Sequence, residues 1–318
     1  MENYEQKSYI GIDVSKMFLD VYVFPFKKHM RFKNTPKEVD KLTVKLKLFS
    51  PALIAMEATG GYEKLVSKTL TRSQLPTAVV NPRRVRDFAK AKGILAKTDK
   101  IDAAVIALFA EKMQPKINIV YDENQEKLQG INTRRRQLVD MLTMEKNRLD
   151  VVNKELKKSL NRIIKVLQKE LDEINNALEK AIKNDPTAEQ KSKLLKTIKG
   201  VGDVVSATVI ADLPELGTLS AKEITALVGL APYNRDSGTF RGKRTIWGGR
   251  GSVRTMLYMA TLASIRRNIQ LKEFYTRLCH SGKAKKVAMV ACMRKLLIVM
   301  NSMLKNNEPW RYSDVVLN

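Results

Sequence analysis

Between Gly130 and Pro186 the chain contains neither glycine nor proline. Nothing there supplies a left-handed turn or removes a helical hydrogen bond, so the default conformation is helix. Leu128, Ile131, Leu138, Leu142, Leu149, Val152 and Leu156 fall on a three-four repeat. After one-residue shifts it continues through Leu160, Ile163, Leu167, Leu171, Ile174 and Leu178. That is heptad-like spacing with stutters, and Lys, Glu, Arg and Asn crowd the other faces. As one helix the stretch would span roughly 80 Å at 1.5 Å per residue. A helical hairpin turning near Asn153 or Asn161 is equally allowed. A lone apolar stripe of this length cannot bury itself, so it needs a partner, and self-association is the first expectation.

The 318 residues allow two or three domains, each with its own core. Lys and Arg total 58 against 33 Asp and Glu, a formal net charge of +25. Such a surplus points to a polyanion, most commonly nucleic acid. No run of about 18 uninterrupted apolar residues occurs, which argues against a membrane span. The polar, acidic start is unlike a signal peptide. Only Cys279 and Cys292 occur, too few for a disulfide framework or a zinc cluster. His29 and His280 are too isolated to suggest a metal site. The expectation is a soluble, cytoplasmic protein that takes no membrane partner.

Flanking the helical stretch are two regions of different character. On the N-terminal side, 9–16, 17–24 and 29–34 read as three strands of a meander, rich in Ile, Val, Phe and Tyr. A helix is expected over 36–49, then an apolar strand at 52–56 that ends on Glu57 and the turn Ala58-Thr59-Gly60-Gly61. A helix from Tyr62 to about Arg72, a strand at 77–80 and helices at about 83–91 and 98–113 follow. Strands that begin as a meander and then alternate with helices predict a mixed sheet flanked by helices. On the C-terminal side, Gly200-Val201-Gly202 followed by an apolar run to Leu213 has the outline of a helix-hairpin-helix. In that motif glycines let backbone approach a phosphate and helix N–H groups receive it. Any glycine-rich helix connection would look the same. A polar loop from Pro232 to Gly251 and helices at about 252–268 and 284–304 complete the chain. The last helix is apolar nearly all round apart from Arg294 and Lys295, as befits a core helix. The expected division is 1–118, 119–190 and 191–318.

Acidic residues sit where elements end. Asp13 follows the apolar β-formers Tyr9 to Ile12, and an acid leaving a buried strand needs a cation or a donor. It is either a turn residue or a metal ligand. Asp99 and Asp102 are three apart, hence on one helix face about 5–6 Å apart at Cβ. Thr98 before them could be an N-cap with acids in the first turn, favoured by the helix dipole. The sharper reading joins Asp13, Glu57, Asp99 and Asp102 as oxygen ligands of Mg²⁺ or Mn²⁺. Two such ions could stabilise the attacking and leaving oxygens of a phosphodiester displacement. Arg83, Arg84, Arg86, Lys90, Lys92, Lys97 and Lys100 lead up to the Asp pair. Beside an acidic site, those cations would offset repulsion of incoming phosphates.

The order of these motifs resembles a known family. Gly11-Ile-Asp13-Val-Ser-Lys16, Met56-Glu57-Ala-Thr-Gly60-Gly-Tyr62, Asn81-Pro82 and Lys97-Thr-Asp99-Lys-Ile-Asp102-Ala103 are similar to the DEDD transposases of the IS110 (Piv/MooV-like) family. The resemblance implies an N-terminal RuvC-like, ribonuclease-H-type domain whose carboxylates, here Asp13, Glu57, Asp99 and Asp102, ligate Mg²⁺. The fold class expected is therefore α/β plus α: that domain, a coiled-coil segment, and a mainly helical C-terminal transposase domain.

The loop Gly229 to Gly249 is the second chemical candidate. Arg241, Lys243, Arg244, Arg250 and Arg254 lie in or just after it with no acid between them. Arginines there could clamp phosphate oxygens bidentately. From residue types alone Ser237-Gly238 is a common turn, and a serine without a neighbouring base is a weak nucleophile. The family resemblance maps a serine nucleophile onto Ser237, attacking the DNA backbone to leave a phosphoserine link. It further implies a noncoding bridge RNA pairing with donor and target DNA, so that the protein reads backbone rather than sequence. A homodimer or dimer of dimers, with sites shared across it, also follows from the resemblance. The expected partners are thus DNA, as element ends and target, and an RNA. Expected nucleic-acid contacts are Arg83, Arg84, Arg86, Lys97, Lys100, Gly200, Gly202, Arg241, Lys243, Arg244, Arg250 and Arg254. Two other readings stand beside recombination. One is a metal-dependent junction resolvase using the carboxylates alone, and the other is a non-catalytic nucleic-acid scaffold.

Overall fold

The computed structural model describes residues 7–94, 98–117, 123–234, 236–240, 242 and 244–310, with Asp99 and Lys100 described in backbone only. Two compact units are present, residues 1–120 and 121–318.

The first unit is built on five strands: β1 (Ser8–Val14), β2 (Phe18–Phe24), β3 (Lys28–Lys33), β4 (Pro51–Glu57) and β5 (Thr77–Val80). Their order across the sheet is β3-β2-β1-β4-β5. The meander β1–β2–β3 is antiparallel, whereas β1–β4 and β4–β5 are parallel. The parallel pairs need crossover helices. Helices α1 (Pro36–Lys47) and α2 (Lys64–Arg72) supply them. Alternation along each strand then makes two layers of core. Ile10, Ile12, Val14, Leu19, Val21, Val23, Ile54 and Met56 pack with Val39, Leu42 and Leu46 of α1 and Val66 and Leu70 of α2. Leu53, Ala55, Ala78 and Val80 face the other way, onto Val85 of α3 (Pro82–Ala91) and Val105, Ile106, Phe109 and Ala110 of α4 (Asp99–Met113). This is the expected mixed sheet flanked by helices.

The glycine- and proline-free stretch is a hairpin. Helices α5 (Glu123–Val151) and α6 (Lys154–Lys183) run roughly 45 Å each and turn at Val152–Asn153. Leu138, Leu142 and Leu171 form the core between them, with Val139, Ile164, Leu167 and Ile174 against it. Nearer the other end of the hairpin, Leu128, Leu178 and Ile182 join the main core of the second unit. Buried Asn132 accepts a hydrogen bond from Thr208 Oγ1 at 3.3 Å, and Arg135 Nε donates to Asn175 Oδ1 at 2.8 Å. Both arms leave Met141, Met144, Val151, Leu156, Ile163 and Val166 exposed.

The rest of the second unit is helical: α7 (Pro186–Lys196), α8 (Asp203–Asp212), α9 (Ala221–Val228), α10 (Gly251–Arg267), α11 (Ile269–His280) and α12 (Lys285–Asn306), with a two-stranded ribbon of β6 (Pro232–Tyr233) and β7 (Thr245–Ile246). Hydrophobic periodicity does not single out α9 or α11. A Ser-x-x-Glu capping box does mark α9: Ser220 receives the Glu223 N–H and Glu223 receives the Ser220 N–H. By length and composition α12 could cross a membrane, but Ala288, Cys292, Met293, Leu296, Leu297 and Met300 are buried in the unit, so it is a core helix.

Candidate active site

Strand register brings Asp13 and Glu57 side by side. β1 and β4 pair in parallel through Ile12↔Met56, and each acid is the next residue of its strand. Adjacent strands lie about 4.8 Å apart, so the two carboxylates leave neighbouring strand ends. They also share a face. Asp13 is two residues beyond Gly11, and Glu57 two beyond Ala55, both on the α4 side. Both acids are half-buried.

Gly11 explains how α4 comes so near. A Cβ there would lie 2.1 Å from the carbonyl oxygen of Ala103 and 2.4 Å from the amide nitrogen of Ala107. Only a residue without a side chain lets the helix backbone rest on the strand. Asp102 immediately precedes Ala103, in the first turns of α4, and Asp99 opens the helix. Thr98 is the N-cap, its hydroxyl accepting from the Ile101 N–H at 3.3 Å. Thr98 thus caps the helix, with both acids in its first turns.

The turns that follow the two acids are fixed by Asn34 and Glu63, two residues outside the sequence motifs. Asn34 Nδ2 donates to the carbonyl of Ser15, after β1, and to that of Tyr62, in the turn after β4, at 3.0 and 3.1 Å. Glu63 Oε2 accepts from the N–H groups of Thr59 and Gly61, both at 2.9 Å. Gly60 and Gly61 take φ of +62° and +108° in that turn. Asp20 of β2 stands directly opposite Asp13 and is paired with Arg31. Only the period-2 register, not a motif, could have flagged it.

The donor set is all oxygen, which suits a hard divalent ion rather than a soft one. Among the described residues no three acidic, histidine or cysteine side chains lie close enough together to hold one ion, and the Asp99 side chain falls outside that description. Around the site, Arg83, Arg84 and Arg86 are exposed on α3, with Arg84 5.5 Å from the Phe109 ring centre. Lys97 lies outside the described residues, as does the Lys100 side chain.

In the second unit Ser237 heads a tight hairpin turn. Ser237 N–H donates to the Phe240 carbonyl at 3.1 Å, and Phe240 N–H returns to the Ser237 carbonyl at 3.0 Å. Gly238 takes φ of +56° at the first central position, as a two-residue hairpin loop requires. Asp236 Oδ1 accepts from the Gly242 N–H at 3.1 Å. The serine is exposed at the turn, and Tyr233, Phe240 and Trp247 are exposed around it. These aromatics alternate with the basic residues of the loop, a signal present in the sequence but not carried by the motif. Arg244 is exposed, and Arg241 and Lys243 lie outside the described residues.

Arg250 and Arg254 make hydrogen bonds within the second unit. Arg250 Nη1 and Nη2 each donate at 2.5 Å to Glu215, and Nη1 also donates to the Asp212 carbonyl at 2.9 Å. Arg254 donates to the carbonyls of Gly248 and Val228. Gly229 and Gly249 press together: a Cβ on Gly229 would lie 2.1 Å from the Gly248 oxygen. Those bonds anchor the far end of the serine loop to α8 and α9. Gly200 likewise packs inward, its absent Cβ replaced by Ser264 of α10 at 2.4 Å, while Gly202 is open. At the start of α8 the Asp203 carboxyl is held below its usual range mainly by its hydrogen bond from Lys196, at 2.8 Å.

Comparison with known proteins covers both units. The DEDD transposase model of the IS110 group matches residues 10–157, and the model for transposases of the IS116/IS110/IS902 family matches 192–276. All four expected carboxylates fall in the first and Ser237 in the second. The pilin gene-inverting proteins of Moraxella lacunata and Moraxella bovis are each 27% identical over 315 residues, spanning 96% of this chain and 98% of theirs. Two transposase models of the IS110 group thus match the chain in that order, and it is similar along nearly its whole length to proteins named for inverting a pilin gene.

Proposed function

We propose that the protein is a transposase or DNA-inverting recombinase that cuts and rejoins DNA with carboxylates of the first unit and Ser237 of the second. The observation that supports this reading is the register of Asp13 and Glu57 on neighbouring strand ends, with Ala103, the residue after Asp102, seated on Gly11 of the same strand as Asp13. Asp13, Glu57, Asp99 and Asp102 would hold Mg²⁺ or Mn²⁺. Bound there, such an ion supplies positive charge to a phosphodiester's oxygens. Ser237 would attack phosphorus; the bond to the 3′ oxygen breaks, and the serine proton ends on that departing oxygen. A phosphoserine ester keeps the bond's free energy, so a second 3′ hydroxyl can reverse the step without ATP. Exposed Arg83, Arg84, Arg86 and Arg244 serve the DNA backbone, and Tyr233, Phe240 and Trp247 offer faces on which unpaired bases stack.

The surplus of +25 supports a second polyanion, a guide RNA that chooses the sequence. The exposed apolar residues along the α5–α6 arms support self-association, as a dimer or a dimer of dimers. The test incubates the full chain with Mg²⁺, its copurifying RNA and cognate DNA, then seeks an SDS-resistant protein–DNA adduct. An adduct mapped to Ser237, lost in Ser237→Ala and Asp13→Ala while DNA binding survives, is the expected result. Full strand cleavage by Ser237→Ala would instead establish a carboxylate-only nuclease. Unchanged joining in Asp13→Ala and Asp102→Ala would leave a scaffold.

A further inference from the structure

The sheet carries one more charged pair in line with Asp13 and Glu57. Asp13 of β1 pairs with Asp20 of β2, and Asp20 pairs with Arg31 of β3. Residues directly opposite on antiparallel strands share a face, with Cβ atoms about 4.5–5.5 Å apart. Leu19 and Val21 point to the α1–α2 core, which puts Asp20 on the face of Asp13 and Glu57. Two carboxylates so placed repel unless one is neutralised. Arg31 does this with two parallel bonds, Nε to Oδ1 at 2.9 Å and Nη2 to Oδ2 at 2.8 Å. Its guanidinium is held by the Phe18 ring, 5.0 Å from the centre. The Asp20 side chain is only 13% exposed, so the pair is partly shielded from water.

We propose that Asp20 and Arg31 are a positioning pair that sets the charge felt by a divalent ion at Asp13. This rests on the reading that Asp13 and Glu57 hold such an ion. Asp13 and Glu57 already place two carboxylates side by side at the strand ends. A further free carboxylate in line with them would tighten ion binding and repel a phosphodiester. An arginine there without Asp20 would do the reverse. Locked together, the two contribute no net charge, and both oxygens of Asp20 are engaged by Arg31.

The two partners therefore have opposite effects, which no purely structural ion pair would show. The probe is Mn²⁺ alone, titrated into the full chain by calorimetry and by electron paramagnetic resonance of the free ion, with Tm measured in EDTA. Arg31→Gln should tighten Mn²⁺ binding and Asp20→Asn weaken it, each by roughly three- to tenfold. The double variant should return to within about twofold of the wild type, because the pair is neutral with or without its charges. Arg31→Lys, which keeps the charge and loses the fork, should bind like the wild type. Single variants that shift affinity in the same direction, or not at all, overturn the proposal. So does Arg31→Lys behaving like Arg31→Gln. A wild-type chain that takes up no Mn²⁺ overturns the metal reading of the site itself, a distinct result.

Discussion

Gly11→Ala tests the packing that seats α4, which carries Asp99 and Asp102, against β1 without touching any carboxylate. The added methyl would sit 2.1 Å from the Ala103 oxygen, 2.4 Å from the Ala107 nitrogen and 3.0 Å from the Ile106 carbonyl carbon. All three are helix backbone, which cannot swing aside as a side chain can. Relief to ordinary van der Waals contact moves α4 away from β1 by at least about 1 Å, an overpacking cost of roughly 1–3 kcal/mol. For a unit of this size that corresponds to a Tm lowered by roughly 5–15 °C. The same displacement carries Asp99 and Asp102 away from Asp13. A misplacement of about 1 Å can cost on the order of a hundredfold in rate. Calorimetry of the full chain and single-turnover DNA joining read the two effects. A variant that joins DNA at the wild-type rate with an unchanged Tm would refute the argument that α4 is seated on Gly11.

Other outcomes follow from the same contacts. Asn34→Ala removes both bonds that tie the Ser15 and Tyr62 loops, so urea unfolding should show a loss of roughly 1–2 kcal/mol, with a fall in joining that restoring Asn reverses. Arg250→Ala leaves buried Glu215 without its fork, and chemical denaturation should show roughly 3–5 kcal/mol lost, most of it recovered in Arg250→Met/Glu215→Gln. Trp247→Ala should weaken single-stranded DNA binding by roughly five- to a hundredfold by fluorescence anisotropy, in line with about 1–3 kcal/mol for a stacked base. Burial pushes the Cys292 thiol up to about 12. Above its ordinary value near 9 the unfolded thiol ionises while the folded one stays neutral, so this group's contribution to stability falls as pH rises toward 12. Iodoacetamide at pH 9 should therefore label Cys279 and spare Cys292 in the folded chain, as peptide mass mapping will show.

The sequence by itself determined the order and type of most elements. A two-residue or three-four period is written within a few neighbouring residues, so β1 to β5 and the long α5–α6 stretch are legible locally. It also placed Asp13, Glu57 and Asp102 at element ends, because an acid beside a buried apolar run is conspicuous. Tertiary structure decided what those residues meet. The turn at Val152–Asn153 has no glycine or proline to announce it; it is chosen by Leu138 and Leu142 packing on Leu171, some thirty positions away. The place of Gly11 in the site depends on a helix about ninety positions later, and that of Arg250 on Glu215, thirty-five positions earlier. Asp20 entered only through strand register, since its partners Asp13 and Arg31 are named by the ladder and not by proximity in the chain. Periodicity is a short-range property of the polymer, whereas register, helix seating and ion pairing depend on which distant surfaces exclude water together.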